Sequence, residues 1–315
     1  MKFGLRNTSF VYPDGTGNIW EDVKTNIQRA EKDGFDSFWV MDHFYQLPIH
    51  GSEDEPFLDA WTVLPALAAV TSRIRLGAMV SPVGYRNPSL LARMGASLDH
   101  ISNGRMNFGF GAGGYKPKYQ AYGFEFIEKG SIRLTQMKEA LQLILGLWSN
   151  ARFTFHGKYF HVENVILEPK PLQKPHPPIL IGWVGPKVTL RVIAEIGDAC
   201  NLWGPPNEFM REREILKRHC DEVGRDESTI EKTTYDFVIC APTQAALQRK
   251  IQHLLPAPRG IEPWMALVGT PSQLVDIVGE YARVGVDHLC MDFSGNDPES
   301  YALFVEEVMG KFQHD

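Results

Sequence analysis

The chain has 315 residues, 43% of them hydrophobic and 22% charged, with a formal net charge of -6. That composition is ordinary for a globular protein and leaves ample apolar side chain for a large core. The acidic balance argues against a nucleic-acid or anionic-membrane partner, and the absence of an apolar run of about 18 residues argues against a membrane span. The start, MKFGLRNTSF, lacks the apolar core of a signal peptide.

In chain order, short β-rich runs alternate with helical patterns. The predicted strands are Lys2–Asn7, Ser37–Asp42, Arg75–Val80, Arg105–Gly111, Ile179–Trp183, Ala199–Trp203, Thr234–Cys240 and His288–Asp292. Between them, apolar residues recur at spacings of three and four. Trp20, Val23, Ile27 and Ala30 share one helix face, as do Met137, Ala140, Leu141, Ile144 and Leu145, and later Tyr301, Phe304, Val305 and Val308. Gly34, Gly197 and Gly285 each stand between a helical pattern and the next strand, where a helix C-cap with positive φ is expected. Repeated strand–helix–glycine–strand units predict parallel strands joined by helices. Eight such units favour a (β/α)8 TIM barrel with insertions over an open doubly wound sheet, which periodicity alone leaves open.

Length by itself favours two domains of about 150 residues, but barrels of this class exceed that rule as single units. We therefore expect one domain over residues 1–315 with two excursions. The first, near 150–177, holds a hairpin around His156-Gly157 followed by a proline-rich extended stretch. The second, near 254–266, is irregular. Cys200, Cys220, Cys240 and Cys290 are widely spaced without a CxxC pair. They are expected to be buried free thiols, which favours a reducing cytoplasm.

Two glycine-rich places fall at the carboxyl ends of predicted strands, where barrel enzymes build their sites. Gly109-Phe110-Gly111-Ala112-Gly113-Gly114 contains a formal GxGxxG, but Tyr115-Lys116-Pro117-Lys118 after it reads as loop, so the dinucleotide-binding reading is rejected. The glycines still permit close approach of a ligand to backbone N–H groups, or form a plain turn. Gly182-Trp183-Val184-Gly185-Pro186-Lys187 is the second place. A helix is expected to begin near Pro186, and its free N–H groups suit a phosphate. Asp42-His43 ends the second strand as a polar pair. His43 is expected to titrate near neutrality and Asp42 to orient it or bond a cofactor, the alternative being a structural histidine. No histidine pattern has metal-ligand spacing, and no GxSxG occurs.

These segments together resemble the luciferase-like monooxygenase superfamily, in its branch of oxidoreductases that use the deazaflavin coenzyme F420. The likeness is carried by Gly34 to His43, by Arg86-Asn87-Pro88, by Leu98 to Arg105, and by Gly109 to Gly113. Leu167 to Pro171, Pro177 to Gly182 and Gly269-Thr270-Pro271 extend it over nearly the whole chain. The resemblance implies a homodimer and a cofactor lying across the strand ends, F420 or alternatively FMN. It also implies a non-prolyl cis peptide at Ala78–Met79, Asp42 on the cofactor, and His43 near the hydride-transfer face. Gly111, Ala112 and Gly113 with Gly182, Trp183, Val184 and Gly185 would line the cofactor and its phosphate.

There are departures from the pattern. Gly114 stands where the branch's sugar-phosphate dehydrogenases carry a catalytic glutamate, and Trp183-Val184 replaces smaller residues. The expected activity is hydride transfer between F420 and a small organic substrate. An FMN monooxygenase and a non-catalytic flavin or deazaflavin carrier are the alternatives. Arg86, Lys116, Lys118 and Lys187 are expected to be solvated surface charges or to meet the cofactor's acidic tail.

Overall fold

A computed structural model describes residues 1–182, 185, 188–202, 204–254 and 266–313. The strands are β1 (Lys2–Asn7), β2 (Ser37–Val40), β3 (Arg75–Ala78), β4 (Ser81–Pro82), β5 (Phe108–Gly111), β6 (Phe153–His156), β7 (His161–Val165), β8 (Ile179–Ile181), β9 (Ala199–Asn201), β10 (Glu231–Cys240), β11 (Ala266–Gly269) and β12 (His288–Phe293). The helices are α1 (Ile19–Lys32), α2 (Ala60–Ala69), α3 (Pro88–Ile101), α4 (Lys116–Ala121), α5 (Gly130–Ser149), α6 (Thr189–Ile196), α7 (Pro206–Val223), α8 (Gln244–Leu254), α9 (Pro271–Arg283) and α10 (Pro298–Glu307).

The strands form a parallel ladder in the order β3-β2-β1-β12-β10-β9-β8-β5-β4. β3 and β4 are two halves of one stave, interrupted at Met79–Val80. Leu76 of β3 bridges Met106 just ahead of β5, which brings the ends of the ladder together as a barrel. All eight expected strands are present. β2 and β3 each stop two residues short of expectation at the carboxyl end, at Val40 and Ala78. β11, which pairs with the far end of β10, was not foreseen. The hairpin around His156-Gly157 is present as β6–β7. Of the second excursion, residues 255–265 lie outside the described residues.

Strand alternation divides the side chains into two sets. Phe3, Leu5, Phe38, Val40, Leu76, Ala78, Phe108, Phe110, Ile179 and Ile181 face outward and join the buried core under the helices. Trp39, Met79, Leu180, Ala199 and Cys290 pack inside the barrel. Trp39 is the large filler there, and close approach around it demands glycine. A Cβ on Gly77 would lie 3.0 Å from the Trp39 ring and 2.3 Å from the Asn107 carbonyl oxygen, and one on Gly109 would lie 1.9 Å from that of Ala78.

The helix–strand joints answer the glycine expectation in two ways. Gly34 and Gly285 have φ of +91° and +88°. Gly197 does not, with φ of -83°. It is needed for space, because a Cβ there would crowd Ile193 and Ile181 at 3.2 and 3.3 Å. The four cysteines are buried and free.

Candidate functional site at the carboxyl end of the barrel

β5 and β8 are paired, Phe108 with Ile179 and Phe110 with Ile181, so the two glycine-rich rims lie side by side. What fills the space between them was not foreseen. The non-prolyl cis peptide is Met79–Val80, one bond later than expected. The reason is visible in the ladder: the Met79 amide still donates to the Val40 carbonyl at 2.9 Å, so Ala78–Met79 remains strand. Ala78 consequently faces the helical shell, while Met79 faces the barrel interior. Val80 projects over the rims. A Cβ on Gly111 or on Gly182 would each stand 2.7 Å from a Val80 methyl. These glycines are therefore required by Val80.

The amides of the second rim are partly spent. Gly182 donates to the Phe110 carbonyl at 3.1 Å, and Gly185 donates to Thr189 Oγ1 at 3.2 Å. The helix expected near Pro186 begins at Thr189. Trp183, Val184, Pro186 and Lys187 lie outside the described residues. On the first rim, Gly113 has φ of +69°, and its carbonyl accepts from Arg133 Nε at 2.8 Å. Ala112 packs against the core at its rim. Gly114 is open, with no atom within 4 Å of a built Cβ.

Asp42 is buried. Its Oδ2 accepts from Arg86 Nη1 at 2.6 Å and from Trp61 Nε1 at 3.2 Å. Trp61 also donates to Ser81 Oγ at 2.8 Å, which ties the group to β4. Burial raises the Asp42 pKa, while the Arg86 guanidinium pulls it the other way. Asp42 thus braces the stave that carries Val80, and only Oδ1 is left without a partner. Arg86, also bonded to Asp59 at 2.6 Å, is a bridging residue and not a solvated charge.

His43 does face the site, but not as a group that titrates near neutrality. Burial, then the neighbouring Lys118, His50 and Arg6, push its pKa down to about 3, so the imidazole is neutral at pH 7. Its Nδ1 is buried without a hydrogen-bond partner. The ring meets Tyr115 edge-on at 6.4 Å between centroids.

Lys118, expected at the surface, is completely buried. Its ammonium donates to the Tyr45 carbonyl and lies over the rings of Tyr45, Tyr115 and Phe57 at 4.5, 5.5 and 5.7 Å. Burial lowers its pKa to about 7. Lys116 pairs with Glu128 at the surface.

Three further residues escaped the sequence reading. Arg6 comes from β1, His50 from the loop after β2, and Asp292 from β12. Asp292 Oδ2 accepts from Thr8 at 2.8 Å and lies 3.2 Å from His50 Nδ1. Arg6 lies over the Tyr235 ring at 3.9 Å. A charge on the inward face of an apolar strand was the available signal for Arg6. Among the described residues, no group of three or more His, Cys, Asp or Glu is placed to hold a metal ion.

Comparison with known proteins agrees with this architecture. A glucose-6-phosphate dehydrogenase of Amycolatopsis mediterranei, described as F420-dependent, is 28% identical over 90% of this chain and 92% of its own. A monooxygenase from Streptomyces bottropensis superposes with a TM-score of 0.82 at 22% identity, covering 99% of this chain and 100% of the other. A coenzyme F420-dependent tetrahydromethanopterin reductase from Methanopyrus kandleri superposes with a TM-score of 0.78 at 20% identity, covering 99% of each chain. The model of the family described as luciferase-like monooxygenase matches residues 1–264, and the chain belongs to that family.

Proposed function

We propose that the protein is an oxidoreductase that binds coenzyme F420 across the carboxyl end of the barrel and moves a hydride between it and a small organic substrate. The observation that carries this reading is the set of buried polar atoms left without partners at that end, His43 Nδ1, Arg6 Nη1 and Asp42 Oδ1. Such atoms are costly unless something binds them. The F420-dependent relative, aligned over most of both chains, supports the choice of cofactor. Membership of the luciferase-like monooxygenase family keeps FMN as the second reading.

Val80 would back the ring, with Met79 beneath it and Asp42 offering Oδ1. The phosphate would fall to the Ala112 and Gly113 rim, since the Gly182 and Gly185 amides are taken. Bound F420 supplies the hydride-accepting or hydride-donating centre. His43, neutral at working pH, takes the proton of a substrate hydroxyl at Nδ1 as hydride leaves the carbon, and returns it in the reverse direction. In the loops above, Phe44 packs against Tyr85, Tyr122 and Phe124, and the buried Tyr85 would help to keep water from the site.

We read residues 1–315 as one domain, because both parts of the first excursion are tied back to the barrel: Glu139 accepts from the amides of Lys158, Tyr159 and Phe160, and Gln173 bonds Asp99. The half-exposed Leu90 and Ile166, on segments joined by Arg93, offer an apolar face for a homodimer. Four free thiols fit a reducing cytoplasm. Titration of the purified protein with F420 and with FMN, followed by absorbance and by ultrafiltration, tests the central reading. Saturable binding of F420 that FMN does not displace is expected, and preference for FMN would overturn it.

A further inference from the structure

Of the unpartnered groups at the carboxyl end, Asp42 is paired with Arg86 through its other oxygen and His43 is neutral, which leaves Arg6 as a buried charge without a counterion among the described residues. Arg6 lies on the inner face of β1, two residues beyond Gly4, whose absent side chain would meet Ser37, Cys290 and His288. Arg6 is 7% exposed, and its Nη1 is buried without a hydrogen bond. Among the described residues it has no ion-pair partner. The acids nearby are engaged elsewhere. Asp292 is held by Thr8 and His50. Asp236, whose Oδ2 is buried without a hydrogen bond, is pushed up to about 8 by burial and is mostly protonated at neutral pH. Stacking on Tyr235 offsets only part of the cost of burying a guanidinium. Lys118, buried and lowered to about 7, neighbours His43 and adds part of a positive charge at neutral pH. A site with this sign is complementary to an anion at the place where the substrate must sit.

We infer that Arg6 anchors a carboxylate of the substrate, which is a hydroxy acid in one direction and an oxo acid in the other. The planar guanidinium, with a free N–H edge, suits a carboxylate's two oxygens. The carboxylate itself does not change. With F420 as hydride acceptor, the carbinol C–H bond would break with its electron pair leaving as hydride, the hydroxyl proton would pass to His43, and the carbon–oxygen double bond would form. The inference rests on the cofactor reading above for its redox half, but the anchor does not depend on that reading.

Calorimetric titration with lactate, pyruvate and neutral lactamide, on cofactor-free and F420-loaded protein, separates the two. Lactate and pyruvate are expected to bind at least about tenfold tighter than lactamide, and Arg6→Gln to weaken both by about tenfold or more, with Arg6→Lys recovering part of the loss. Equal affinity for lactate and lactamide, no carboxylate binding, or a folded Arg6→Gln protein that binds lactate like the parent would overturn the anchor. Arg6-dependent lactate binding in a protein that does not take up F420 would keep the anchor and remove the cofactor reading.

Discussion

The two ends of the barrel are built from the same strands and treat their polar groups in opposite ways. At the amino end, His288 Nδ1 lies 2.7 Å from Glu231 Oε1, and its Nε2 lies 2.9 Å from Ser37 Oγ. Ser37 in turn accepts from Trp39 Nε1 at 2.7 Å. Burial opposes a charge on His288, but Cys290 and Glu231 beside it outweigh that and push its pKa up to about 10. At the carboxyl end, His43 is held down to about 3 and keeps an unpartnered nitrogen. A cavity of about 610 Å³ opens at the amino end, lined by charges such as Glu31, Arg75 and Asp198 that are bonded within the protein. Its size is not a sign of function. The polar groups of the first end are satisfied within the protein, and the unsatisfied end is where we propose that a ligand completes the bonding.

Replacing His43 by alanine is the sharpest way to test that contrast. Turnover on a found substrate should fall by about 10²–10⁴-fold. The matching break at the other end is Glu231→Gln, which strips His288 of its anion. It should cost about 3 kcal/mol of stability by denaturant unfolding, while the pH profile of turnover stays where it was.

The two histidines also carry opposite pH signatures. His288 is raised above 6.5, so its contribution is complete below pH 6.5 and is lost as pH rises towards 10. His43 is depressed, so its contribution is present above pH 6.5 and is lost as pH falls towards 3. Melting curves of His288→Asn and His43→Asn against pH should each lack one of these limbs.

A smaller effect is expected at Gly182. A valine there would collide with Val80, costing about 1–3 kcal/mol and weakening cofactor uptake. Smaller still, Lys118→Gln should move the His43 titration upward, read by NMR of the imidazole. If Lys118→Gln leaves that titration unmoved, the two groups do not share a site.

Much of the barrel was legible because each stave repeats one local grammar, an apolar run after a glycine-capped helix. Gly34 and Gly285 follow that grammar, while Gly197 departs from it for reasons of space that only the neighbours Ile181 and Ile193 reveal. Asp42-His43 was legible as a polar pair ending an apolar strand. What each does was not, because Asp42 meets Arg86 across 44 positions and His43 owes its neutrality to burial and to Lys118, which is 75 positions away. The same distance hid Lys118, whose charge is enclosed by rings from Tyr45 and Phe57. The rim glycines were seen, but their neighbour Val80 was not, since the strand break falls one residue later than the family pattern suggested.

Imidazole nitrogen resonances of His43 and His288, followed while F420 is added, test the central claim most directly. The claim predicts that Nδ1 of His43 shifts and saturates with the cofactor while both nitrogens of His288 stay fixed. A shift confined to His288, or a silent His43 in protein shown to hold F420, would contradict it.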